Sequence, residues 1–232
     1  MNSMNITMLV ARKEMKDILK NKGLLFGSVW MGSSFGIAFS SQAYSLDNSI
    51  FSMALLAGVL VGYMFSGQVF LREKRGGIIE TLLCTPLSLK SIWVGKVVGT
   101  TIPAYLISLL TVALITVVSN IVLHSFLLPS VVLLIHIFGV VPVFITSAIS
   151  LMGLCQFLLG MRENKIIGYL VMLGLLPFIF PNIIGGLIRG NTSFVVSQVE
   201  VVVVLIASVL LLALTTYLSR YLSKEKIVTT IS

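Results

Sequence analysis

The sequence predicts an all-α polytopic membrane protein: a single transmembrane domain over 1–232, with six spanning helices, an N-terminal amphipathic interfacial helix and a short cytoplasmic helix between spans 2 and 3. Three observations predict it. The first is composition: 57% of the 232 residues are hydrophobic and 10% charged, with a mean hydropathy of +1.06. Soluble domains carry about 25% charged residues, and a soluble particle this short has too little interior to hide so much apolar surface. Scarce charge and thirteen Phe exclude disorder for the opposite reason. The second is the set of uncharged stretches at 23–46, 48–71, 97–161, 166–188 and 201–219. Each can supply a bilayer-crossing helix of about 20 residues, and the third can supply two. The third is the placement of charge, which falls in short clusters between those stretches.

Residues 8–22 come first along the chain. At about 100° per residue, Met8, Ala11, Met15, Ile18 and Leu19 share one helical face, and Arg12, Lys13, Lys16, Asp17 and Lys20 the opposite one. A basic helix with an apolar stripe suits the plane of a bilayer surface. It reads either as an anchor that sets topology or as an elbow that also touches a cytoplasmic partner. The spans follow at about 24–42, 50–71, 97–120, 130–159, 166–184 and 200–219. Pro129, after Ser119, Asn120, His124 and Ser125, marks the turn inside the longest stretch. The fourth span exceeds the required length, and Pro142 is placed to kink or divide it. The first span follows a charged prelude containing Glu14 and Asp17, unlike a cleaved signal peptide, and is expected to stay in the mature protein.

Lysine and arginine set the orientation. Arg12, Lys13, Lys16, Lys20 and Lys22 precede span 1; Arg72, Lys74, Arg75, Lys90 and Lys96 lie between spans 2 and 3. Arg162 and Lys165 follow span 4, and Arg220, Lys224 and Lys226 follow span 6. Of the 16 basic residues, Arg189 alone falls on the other side. The positive-inside rule then puts both termini in the cytoplasm. Small residues recur every four positions as Ser28, Gly32, Gly36, Ser40 and as Ala54, Gly58, Gly62, Ser66. Such faces permit close helix approach. They read as packing between these two consecutive spans, with a dimer seam or a substrate path as the alternative.

Several function classes are disfavoured. The Gly95-Lys96 pair is followed by Val97 and lacks the earlier glycine of a phosphate loop, so this chain is expected to hydrolyse no ATP. It carries neither H-E-x-x-H nor G-x-S-x-G, and no catalytic constellation stands out. No carboxylate lies well inside a span, which argues against an ion-coupled carrier. Cys84 and Cys155 make no disulfide framework; His124 and His136 lack companions at metal-ligand spacing and read as loop or helix-end residues. Basic residues are not gathered with aromatics, so no nucleic acid is expected as a partner. Energy for any uphill movement must come from another protein.

The informative stretch is REKRGGIIETLLCTPLSLKSIWVGK, Arg72 to Lys96. Gly76-Gly77 permits a sharp turn. Ile78, Ile79, Leu82 and Leu83 then share one side of a short helix, Glu80 and Thr81 the other, and Pro86 prevents continuation. Either this segment docks against something in the cytoplasm, or it is a solvated loop whose apolar residues dip into the interface. Glu73, Gly77, Ile79, Glu80, Leu82, Leu83, Thr85, Pro86, Leu87 and Lys96 match, in register, the segment after the second span in membrane permease subunits of type-2 ABC transporters. The sequence resembles that family, with Ile78 where the family usually has Thr.

The resemblance implies that two copies, or this chain and a paralogue, form a membrane pathway. Two separate ATP-binding subunits, which hold the ATP and magnesium, would attach below, with 72–87 as the coupling helix. It implies export, and a prokaryotic inner or plasma membrane. It also implies a re-entrant hairpin in the last loop, for which Pro177, Pro181, Gly185 and Gly186 are suited. The cargo is not legible; spans without charge favour apolar or amphipathic molecules. Two other readings stand beside it: a haem-export-like subunit of cytochrome maturation, and a membrane scaffold or assembly factor that uses no ATP.

Overall fold

In the computed structural model, residues 3–40, 46–76, 88–123, 129–159, 173–176 and 198–221 are described, and among them the chain is all-helical with no strand. α1 (Ser3–Lys20) passes into α2 (Lys22–Ser40) through Asn21 alone. Asn21 accepts the amide proton of Leu24 on its side chain (3.2 Å) and that of Leu25 on its carbonyl (3.0 Å), which caps α2. α3 (Leu46–Ser66) widens into a π turn at Gly67–Leu71, where the Arg72 amide bonds to Gly67 O, and closes as α4 (Arg72–Arg75). α5 (Leu89–Leu123) starts at Ser88, whose hydroxyl accepts from the Ser91 amide at 3.2 Å. α6 (Val131–Ile135), a π turn at His136–Val140 and α7 (Val141–Leu158) form one helical run. α8 (Gln198–Leu218) ends in a single 3₁₀ turn, Ser219–Tyr221.

Among the described residues, four helical runs are long and apolar enough to cross a membrane: Leu46–Lys74, Leu89–Val122, Val131–Leu158 and Gln198–Tyr221. They cover the second, third, fourth and sixth expected spans. α2 occupies the first expected span. The fifth expected span and the re-entrant break fall outside the described residues, apart from 173–176.

The interruption expected from Pro142 is the π turn just before it. Proline has no amide proton to give to Ile137 O, five residues back. The Tyr105 hydroxyl of α5 donates to that carbonyl instead, at 3.2 Å. A freed backbone group inside a membrane needs such a substitute. The same turn carries His136, which corrects its reading as a loop or helix-end residue. The helix begins at Val131, so His136 lies inside the run, fully buried and stacked on Phe51 with ring centroids 4.1 Å apart.

α5 is the central post, with α1, α2, α3 and α7 against it and α8 outside, against α7. Phe51, Phe65, Ile115, Phe144, Ile145 and Ile149 fill the middle. α2 and α3 pack on each other, but Gly32, Gly36, Gly58 and Gly62 are filled by other helices. A Cβ on Gly32 would come 2.8 Å from Thr111 Oγ1, and one on Gly36 3.4 Å from Thr111 O, so these positions seat α5. Gly58 and Gly62 of α3 receive Ile145 and Ile149 of α7. The close approach expected at the glycines is present, but the partners come from later in the chain.

α1 also differs from its predicted amphipathicity. It starts five residues before position 8, and its inward line is Ala11, Glu14 and Ile18, one of them a carboxylate. Met8 and Leu19 of the expected apolar face are exposed, as are Arg12, Lys16 and Lys20. The helix therefore presents three sides: one against α5, one apolar and open, one basic.

Candidate functional site

The chemistry-bearing side chains gather where α1, α4 and the start of α5 meet. Gly95 and Gly99, one turn apart on α5, form a trough that takes the α1 backbone. A Cβ at Gly95 would lie 2.8 Å from Thr7 O, and one at Gly99 2.6 Å from Ala11 O and 3.1 Å from Glu14 Cβ. That approach brings the Glu14 carboxylate onto Lys96 in the intervening turn.

Lys96 Nζ lies 2.8 Å from Glu14 Oε1 and 2.6 Å from Glu73 Oε2, and it donates to Val69 O at 3.3 Å. The Phe70 ring lies beneath the ammonium, 5.9 Å to its centroid. Lys13 closes the cluster from the solvent side, 3.0 Å from Glu73 Oε1 and 3.2 Å from Glu14 Oε1. Lys96 is 1% exposed, Glu14 3% and Glu73 7%. Two cations and two carboxylates thus balance where neither sign could sit alone, since an unpaired buried ion costs several kcal/mol. Partial burial of Lys13 works to lower its pKa, but the hydrogen bond to Glu73 and the fields of both carboxylates outweigh it and hold the pKa above the ordinary lysine value.

The next residue ties α4 the other way. Lys74, 1% exposed, directs its ammonium to the end of α7, donating to Leu159 O at 2.6 Å and Phe157 O at 3.3 Å. The last carbonyls of a helix lack intrahelical donors and attract cations. Glu73 and Lys74 together fasten α4 to α1, α5 and α7. Beside the cluster a cavity of about 660 Å³ opens between α1 and the π turn, lined among others by Asp17, Lys20, Gln68 and Arg72. An Asn21 Nδ2 to Gln68 Oε1 hydrogen bond of 3.1 Å crosses its wall.

Of the residues expected to couple to a partner, the structure describes Glu73, and places it inside the cluster rather than on a surface. Gly77, Ile79, Glu80, Leu82, Leu83, Thr85 and Pro86 lie outside the described residues. That segment is nonetheless bracketed: Glu73 stands four residues before Gly77 and Lys96 nine after Leu87, and the two side chains are in contact. Glu14 and Lys96 escaped sequence reasoning as a pair. The usable signal was Gly95-x-x-x-Gly99 enclosing a lysine, together with one acid on the inward line of a basic helix. The arrangement has no nucleophile and base in contact. Among the described residues no three His, Cys, Asp or Glu gather as metal ligands. The cluster joins α1, α4 and α5 on either side of the 77–87 segment. No family model matches the sequence, and no curated protein matches it.

Proposed function

We propose that this chain is the membrane permease subunit of a type-2 ABC transporter, working as an exporter. In this reading it has six spans and both termini in the cytoplasm of a prokaryotic cell, and it pairs with a second copy or a paralogue. ATP and magnesium are held by a separate ATP-binding subunit, and this chain hydrolyses none. The observation that carries the reading is the buried Glu73–Lys96 contact at the root of the segment whose residues resemble the family's coupling helix. A push on 77–87 is delivered to two helix ends already joined to α1 by Glu14 and to α7 by Lys74, so the bundle's end moves as a unit. Four apolar runs of spanning length supply the membrane body that such a push would tilt.

The test is a set of variants in 77–87. Leu82→Ala with Leu83→Ala removes two aliphatics from the docking face; truncation in a well-packed contact costs about 2–5 kcal/mol, so assembly with the ATP-binding subunit should fail. Glu80→Ala removes a rim charge worth about 0–1 kcal/mol, so assembly should survive while transport falls. Partner pull-down, ATPase rate and transport in reconstituted vesicles read the three outcomes. A double leucine variant that assembles and transports like the parent contradicts the assignment.

A further inference from the structure

On the face of α1 away from the ion cluster, a furrow of about 510 Å³ runs between the helix and α5, lined by Thr7, Met8, Ala11, Arg12, Met15, Val98 and Ile102. Its floor and walls are apolar, and Met8, Val98 and Ile102 remain partly exposed along it. The α5 wall belongs to a run apolar enough to cross a membrane, and so suits contact with hydrocarbon. One lining group is charged. Arg12, part of the lining, pairs with no carboxylate among the described residues. A guanidinium presents a planar fork of donors matched to phosphate oxygens. Lys16 follows four residues later, on the same side of the helix, and is exposed.

We propose that this furrow binds an anionic phospholipid, with one acyl chain along Met8, Met15, Val98 and Ile102 and the phosphate on the Arg12 guanidinium. An apolar slot with one cation in its lining complements an acyl chain joined to a phosphate. Lys16 beside the headgroup repels a choline and favours a lipid of net negative charge. The site needs no ATP-binding partner, so it stands apart from the function proposed above.

The experiment titrates dioleoyl phosphatidylglycerol or dioleoyl phosphatidylcholine into the full chain in mild detergent and reads bound lipid by native mass spectrometry. The parent should retain phosphatidylglycerol in preference to phosphatidylcholine. Arg12→Ala should weaken phosphatidylglycerol binding about five-fold, the effect of one cation at an anionic surface. Lys20→Ala, an equal loss of charge away from the furrow, should leave binding at the parent level. Ile102→Trp fills the slot and should abolish retention of the lipid, with an unchanged melting temperature showing that the variant folds. Equal binding of the two lipids by the parent, equal weakening by Arg12→Ala and Lys20→Ala, or parent-like binding by Ile102→Trp would each overturn the site. Competition by inorganic phosphate as effective as by lipid would do so too, since the furrow would then add nothing.

Discussion

Replacing Lys96 by Met keeps the length and apolar stem of the side chain and removes its charge, leaving Glu14 and Glu73 with Lys13 alone. The Lys96 ammonium is in contact with both carboxylates, at 2.8 and 2.6 Å between heavy atoms. Charge centres about 4 Å apart interact by about 4 kcal/mol at an effective dielectric of 20. The two pairs therefore supply about 8 kcal/mol, of which desolvation of the ions takes back several. Removal of one partner from a buried pair typically costs about 3–5 kcal/mol, and Lys96→Met is expected in that range. Adding Glu14→Gln restores neutrality, with Lys13 facing Glu73, so the double variant should be more stable than Lys96→Met alone. Equilibrium unfolding in bicelles of the parent, both single variants and the double variant gives the coupling energy directly. A Lys96→Met loss below about 1 kcal/mol, the level of a surface pair, would refute a buried cluster.

Other consequences follow from individual contacts. Tyr105→Phe leaves Ile137 O without its donor beside Pro142 and should destabilise by about 0.6–1.7 kcal/mol, the range for interhelical hydrogen bonds in a bilayer; the same unfolding assay reads it. Gly99→Ala drives a methyl onto Ala11 O and should cost about 1–3 kcal/mol and part α1 from α5, raising hydrogen exchange along α1. Gly58→Ala overlaps the end of the Ile145 side chain; Ile145→Val should restore part of the lost melting temperature because it removes the intruding methyl. Lys74→Met removes the ammonium that satisfies the last carbonyls of α7 and should raise hydrogen exchange in the final turn of that helix.

The helical membrane body was legible because hydrocarbon leaves the backbone few choices: uncharged runs of spanning length must satisfy their own amides and carbonyls. Pro129 and Pro142 marked their positions for the same reason, since each removes a donor. What the runs did not reveal was which side faces protein and which faces lipid. Met8 and Ile18 are both apolar, yet one is 74% exposed and the other fully buried. Small residues announced close approach at Gly32 and Gly58 but carried no information about which helix would come close. The ion cluster was the least legible feature. Glu14 and Lys96 stand 82 positions apart, and at sequence level each looked like an ordinary charge outside a span. The Gly95–Gly99 trough between them is what turns both inward.

The central claim is that this chain takes its energy from a separate ATP-binding subunit docked on 77–87. Chemical crosslinking in native membranes, followed by purification of the full chain and mass spectrometry of the crosslinked peptides, tests it most directly. The account predicts a nucleotide-binding subunit co-purifying in stoichiometric amount, joined through Lys90 or through cysteines introduced at Ile79 and Leu83, with ATPase activity that is absent from the chain alone. A chain that purifies without any nucleotide-binding protein, or one whose crosslinks to such a protein avoid 77–90, would contradict it.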